Sequence, residues 1–143
     1  TIWEAGANGL TRVFDSGDDI EKRTQALGTV ANFNAGHDNN TLDSRSPNKG
    51  PEPEAITVAT FGKKTYAFIG LERIGGVMVY DVTDPARASF TTYLNTRSGV
   101  TGDRGPEGLS FVPASRSPNG KPLLIVANEI SGSTAVMQID LGY

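Results

Sequence analysis

The sequence predicts an all-β chain made of four-stranded antiparallel β-propeller blades, about two of them, in an incomplete ring. Three observations lead there. Short β-branched and apolar runs alternate with turn residues, including 17 glycines and eight prolines in 143 positions, which is the punctuation of tight antiparallel turns. The stretch 50–84, GPEPEAITVATFGKKTYAFIGLERIGGVMVYDVTD, is followed by a weaker copy that starts at Gly105 as GPEGLSFV and resumes as KPLLIVANEISGSTAVMQID. Tandem four-strand units of roughly 40 to 50 residues are the signature of propeller blades.

The two copies can be aligned residue by residue. Pro53-Glu54-Ala55-Ile56-Thr57 matches Pro106-Glu107-Gly108-Leu109-Ser110 at an offset of 53, and Tyr66 to Thr83 matches Leu123 to Asp140 at an offset of 57. The extra residues fall in the first turn, where FGKK becomes PASRSPNGK, as expected of an insertion on a surface loop. The inner runs YAFIGL and LLIVAN are apolar at successive positions. Strands covered on both faces read this way, and neighbouring blades supply the cover.

Taken in order, Thr1 to Glu4 and Thr11 to Asp15 flank AGANGL, whose Asn8-Gly9 pair tolerates positive φ and signals a β-hairpin. Ser16 to Leu27 predicts a short helix. Ser16 or Asp18 can cap it, acids fill its first turn, Lys22 and Arg23 follow toward its end, and Ile20, Thr24 and Leu27 share a modest apolar face. From Gly28 to Pro51 the chain is rich in Asn and Asp with no apolar period. This predicts a long surface loop closed by Asx turns. Its alternative role is to present Asp38, Asn39, Asn40 and Asp43 as oxygen ligands to a hard cation, although EF-hand spacing is missing.

Four strands follow at Glu54–Phe61, Thr65–Glu72, Gly76–Val82 and Phe90–Asn95, then three at Glu107–Pro113, Leu123–Glu129 and Thr134–Asp140. The predicted organisation is 1–49 as the hairpin, helix and loop of a preceding blade, 50–104 as a complete blade, and 105–143 as a final blade lacking its fourth strand. Such a set cannot close a ring, since propellers use about four or more blades. The expected partners are therefore the remaining blades or other copies of the chain. A first residue of Thr1 rather than Met fits an excised piece of a longer protein.

Composition narrows the function. A formal charge of −3 and a pI near 5.1 argue against a nucleic-acid partner, because tracking phosphates needs clustered Lys and Arg. No run approaches the roughly 18 to 20 apolar residues of a transmembrane helix. The absence of cysteine removes disulfides, thiolate metal sites and a Cys nucleophile.

No catalytic constellation is visible. His37 is the one histidine and is expected on the surface, and no G-x-S-x-G is present. The repeated glutamates carry more information. Glu54 and Glu107 hold equivalent places at the start of the first strand of each unit, and Glu72 and Glu129 at the end of the second. Acids repeated at one level converge and repel, which calls for a cation such as Ca²⁺. Such an ion can bind a phosphoryl group and activate water. The bland alternative has Glu54 and Glu107 accept backbone N–H bonds as latches between blades. Arg73 and Arg104 are candidates to hold a phosphate bidentately, or else to pair with nearby acids.

The segments DSGDDIE, DNNTLDSRSPNKGPEPE, TYAFIGLERIGGVMVYDVTDP and GPEGLSFVPASRSPNGKPLLIVANEISG resemble the closing part of the choice-of-anchor I family, most specifically over Asp43–Asp84 and Gly105–Gly132. The chain departs from the family in having Ala55 where GPEPEG is frequent, and in a short segment between Asn95 and Gly102. The resemblance implies a secreted, periplasmic or cell-surface protein with a phytase-like propeller, some relatives being described as alkaline phosphatases. It therefore implies Ca²⁺-assisted phosphoester hydrolysis for the whole protein, with the piece alone inactive. The competing expectation is a non-catalytic propeller that binds an extracellular surface or matrix.

Overall fold

The computed structural model of the chain describes residues 1–141. Its elements run β1 (Ile2–Gly6), β2 (Gly9–Phe14), α1 (Asp19–Leu27), β3 (Pro53–Phe61), β4 (Lys64–Leu71), β5 (Val77–Asp81), β6 (Ser89–Leu94), β7 (Arg97–Ser98), β8 (Thr101–Gly102), β9 (Pro106–Val112), β10 (Leu123–Asn128) and β11 (Ser133–Gln138), with three short 3₁₀ turns. The chain is mostly β, every sheet is antiparallel, and none is closed. A four-stranded meander β3-β4-β5-β6 and a three-stranded meander β9-β10-β11 form where the two copies lie. The β7/β8 pair was not foreseen.

Side-chain alternation decides which face meets what. Phe68, Val77 and Ala59 of the first sheet pack with Leu124 and Val126 of the second, joined by Phe61, Tyr66, Leu109, Phe111 and Met137. The opposite face of the first sheet presents Leu71, Met78 and Tyr80, which pack with Ile74, Ile20 of α1, Ile69 and Phe90. The central strands β4 and β5 are thus covered on both sides, as the continuous apolar run of β4 requires, whereas Ile56 and Val58 of β3 stay exposed. The second sheet is covered on one side, and Val136 on its outer face is 61% exposed.

The helix starts at Asp19 rather than Ser16, and Asp18 at its cap makes no side-chain cap bond. Lys22 and Arg23 lie mid-helix and reach back one turn to Asp18 and Asp19. Asp19 also accepts the Tyr80 hydroxyl at 2.5 Å, and Arg23 lies over the Phe90 ring, so the helix is pinned to the sheet. Thr24 is buried as expected, whereas Leu27 is exposed.

The expectation of a surface loop over 28–51 fails in its middle. Ala31, Phe33, Asn34, Ala35 and His37 are all buried. No helix or strand period marks the segment because residues 31–37 are buried consecutively, apolar and polar side chains alike. Asn34 Nδ2 donates to Glu21 Oε1 and to Ser46 Oγ, and the Asn34 and Phe33 carbonyls accept from the amides of Arg45 and Asp43.

At Gly70 the two sheets approach closely. A Cβ there would stand 2.9 Å from the Pro106 carbonyl oxygen and 3.2 Å from Ala55 Cβ. Backbone sits against the site, so there is no flexible side chain to give way. Gly70→Ala is expected to cost about 1–3 kcal/mol through overpacking, measured as a lower urea midpoint with unchanged slope. Wild-type stability in that variant would mean the sheets do not meet at Gly70.

Candidate functional site

Equivalent backbone geometry builds the site twice. Pro53 pairs with Leu71 and Ala55 with Gly70, which leaves Glu54 as the extra residue of a β-bulge. Pro106 pairs with Asn128 and Gly108 with Ala127, which leaves Glu107 in the same position. Bulges re-aim a side chain out of the ladder. Beyond the bulge, the amide of Glu72 donates to the Glu52 carbonyl at 2.7 Å, and that of Glu129 to the Gly105 carbonyl at 2.8 Å. Each bulged glutamate therefore stands next to the glutamate that ends the following strand.

The acids of the two sheets feel one another. Glu107 is exposed, and its carboxyl is held above the ordinary value by the charge of Glu129, then by slight desolvation and by Glu54. Glu72 is buried, its side chain 6% exposed. Burial, and then the neighbouring Glu52, push it up to about 7. Burial would raise Glu52 as well, but hydrogen bonds from Arg73 and Lys49 outweigh it and hold that carboxyl below the ordinary value. One oxygen from each of Glu52, Glu54 and Glu72 lies within 4.8 Å of the other two.

Beneath this row lies a buried polar node. His37 is 9% exposed rather than on the surface. Arg73 Nη1 stands 3.3 Å from His37 Nδ1, while His37 Nε2 is 3.2 Å from both the carbonyl and Oε1 of Glu72. An arginine can only donate, so Nδ1 is the acceptor and Nε2 carries the proton. Burial, together with the charges of Arg73 and Arg97, lowers the His37 pKa and keeps the ring neutral. Arg97 is buried too, donating Nε to Gly99, Nη1 to Arg73 and Nη2 to Gly36, all carbonyls, at 2.6–2.8 Å.

The arginines expected to hold phosphate are already engaged. Arg73 forms ion pairs with Glu52 and Glu72, and Arg104 Nη1 donates to the His37 carbonyl at 2.9 Å. Among the described residues, neither Glu54 nor Glu107 accepts a backbone amide, so the latch geometry is not seen. Asp38 and Asp43 are exposed, and the cluster of three acids found among the described residues does not include them. Asp43 instead accepts the Ser46 hydroxyl. Glu52 was missed, although the alignment of the copies holds the signal, since an offset of 53 sets it opposite Gly105. Nothing in the sequence marks Arg97.

The family model for the choice-of-anchor I domain matches residues 1–85. The chain belongs to the choice-of-anchor I family. The matched span of this family member includes His37, Glu52, Glu54, Glu72 and Arg73, while Arg104, Glu107 and Glu129 lie beyond it. The chain is also 28% identical over 148 residues to Gigasin-3a of Magallana gigas, covering 91% of this chain and 52% of that protein. It thus spans about half the length of the curated relative it matches. No solved structure is a significant match.

The raised Glu72 pKa fixes a pH dependence. A folded-state carboxyl above its unfolded value contributes stability that is fully present below about pH 4.5 and is lost as the pH rises through about 7. In buffer free of divalent cations, wild-type stability should therefore fall between those limits. Glu72→Gln should flatten that fall, as read from urea denaturation at a series of pH values. Identical slopes in the two proteins would contradict the assignment.

Proposed function

We propose that the chain is part of an extracellular or cell-surface β-propeller, and that its acidic row works with Ca²⁺ on phosphate-bearing ligands. The observation that supports this reading is the repeated placement of Glu54 and Glu107 on equivalent bulges, beside Glu72 and Glu129, at the same end of two stacked sheets. Stacked antiparallel meanders are how blades pack. The half-covered second sheet leaves room for a further sheet from the intact protein or from another copy. Among the described residues no helix is long and apolar enough to cross a membrane.

The reaction class is metal-assisted hydrolysis of phosphoesters. Carboxylates would hold the ion, and the ion would supply charge for a phosphoryl oxygen and an activated water. A second reading, binding without hydrolysis, is favoured by the engagement of Arg73 and Arg104 within the fold. In that case the acids hold Ca²⁺ as a bridge to an anionic surface or matrix.

Phosphate release by the intact protein from a simple monoester and from phytate, with and without Ca²⁺, separates the two. Hydrolysis predicts Ca²⁺-dependent release that falls at least about a hundredfold in Glu54→Gln/Glu107→Gln. Ca²⁺ uptake with no phosphate release selects the binding role. Neither uptake nor release would sink both.

A further inference from the structure

The first copy carries two residues that the second does not. At the place of Gly105 stands Glu52, and at the place of Ile130 stands Arg73. The backbone is the same in both, with φ of 72° at Gly105 and 51° at Glu52. The left-handed region suits glycine and costs other residues roughly 1–2 kcal/mol. A glutamate is therefore kept at a position where the copy has the conformationally easier residue, and its carboxylate stands next to Glu54 and Glu72.

The Glu72 carboxylate is incompletely satisfied. Its side chain is 6% exposed, and Oε1 faces His37 Nε2. Oε2 is buried and accepts no hydrogen bond, with Arg73 Nη2 beside it at 3.3 Å. A buried carboxylate oxygen without a hydrogen bond is costly. Among the described residues, Arg73 and Lys49 are the cations paired with this cluster, against three carboxylates. The Lys49 pair lies at the rim, where ion pairs contribute little. One negative charge is left unmatched when all three acids are ionised.

We infer that Glu52, Glu54 and Glu72 form a divalent-cation site particular to the first sheet, with Ca²⁺ as its ion. The donors are all carboxylate oxygens, the chemistry of a hard cation. Their mutual separation, within 4.8 Å, suits a shell in which each oxygen stands about 2.3–2.6 Å from the ion. Glu72 Oε2, which has the Arg73 ion pair but no hydrogen bond, gains a ligand bond, and exposed Glu54 closes the site from the solvent side. Arg73 and His37 are positioning residues, holding Glu52 and the far oxygen of Glu72. The inference deepens the Ca²⁺ reading above by naming its ligands, and it stands apart from phosphate release.

Calorimetric titration of Ca²⁺ into the full chain tests it, with Glu52→Gln, Glu52→Gly and, as a surface control on β1, Glu4→Gln in parallel. Glu52→Gly carries the residue found at the equivalent position of the second copy, so it keeps the backbone conformation and guards against a merely misfolded Glu52→Gln. One site is expected in wild type. Both Glu52 variants should weaken it at least about tenfold, since affinity follows carboxylate count, and Glu4→Gln should leave it within about twofold. No Ca²⁺ uptake by the wild-type chain would overturn the site, as would wild-type affinity in both Glu52 variants or an equal loss in Glu4→Gln. Phosphate release by the intact protein alongside unchanged Ca²⁺ affinity in the Glu52 variants would overturn this ligand set while leaving the proposed function intact.

Discussion

Close approach of β4 to β9 at Gly70 is the constraint on which the rest depends. With no side chain at that position, the Pro106 carbonyl comes within reach of the first sheet, and the apolar faces around Phe68 and Leu124 interlock behind it. Pro106 immediately precedes Glu107, and Gly70 pairs with Ala55, immediately after Glu54. The contact that joins the sheets therefore also sets the two bulged glutamates side by side. Stability and the electrostatics of the site share one steric cause.

The node under the acidic row meets a different demand, that of satisfying polar groups once water is gone. Arg97 has no acid partner among the described residues and is held by three carbonyls from three separate segments. A planar five-donor fork can satisfy such a divergent set, and an ammonium cannot. By capturing the Gly36 carbonyl, Arg97 draws the Asn-rich segment inward, and Arg104 does the same at His37. That brings the imidazole against Glu72, and the chain of donors from Arg73 through His37 fixes which oxygen of Glu72 stays open. The strained Glu52 conformation persists because its carbonyl and carboxylate are both held, by the Glu72 amide and by Arg73.

The sequence was legible where local rules dominate. The strands of both meanders fall within about two residues of their predicted ends, the usual scatter of boundaries, because alternation, turn glycines and a second copy all constrained them. The equivalent placement of Glu54 and Glu107, and of Glu72 and Glu129, was legible for the same reason. What stayed hidden depends on contacts between distant segments. The burial of His37 rests on carbonyl bonds from Arg97 and Arg104, which lie some 60 residues away, and no periodicity reports such bonds. The bulges were hidden too, since Pro-Glu reads as the start of a regular strand until the pairing is known. Glu52 was within reach, because comparing the copies sets a glutamate against a glycine.

The account's central claim is that stacking brings the carboxylates of two sheets into one field. Titrating the Glu107 carboxyl by carbon-detected NMR, in wild type and in Glu54→Gln, tests this, because Glu54 belongs to the other sheet. Glu107 is expected to titrate above the ordinary glutamate value in wild type and to move part of the way back once the Glu54 charge of the neighbouring sheet is removed. An ordinary value in the wild-type protein, unmoved by Glu54→Gln, would contradict it.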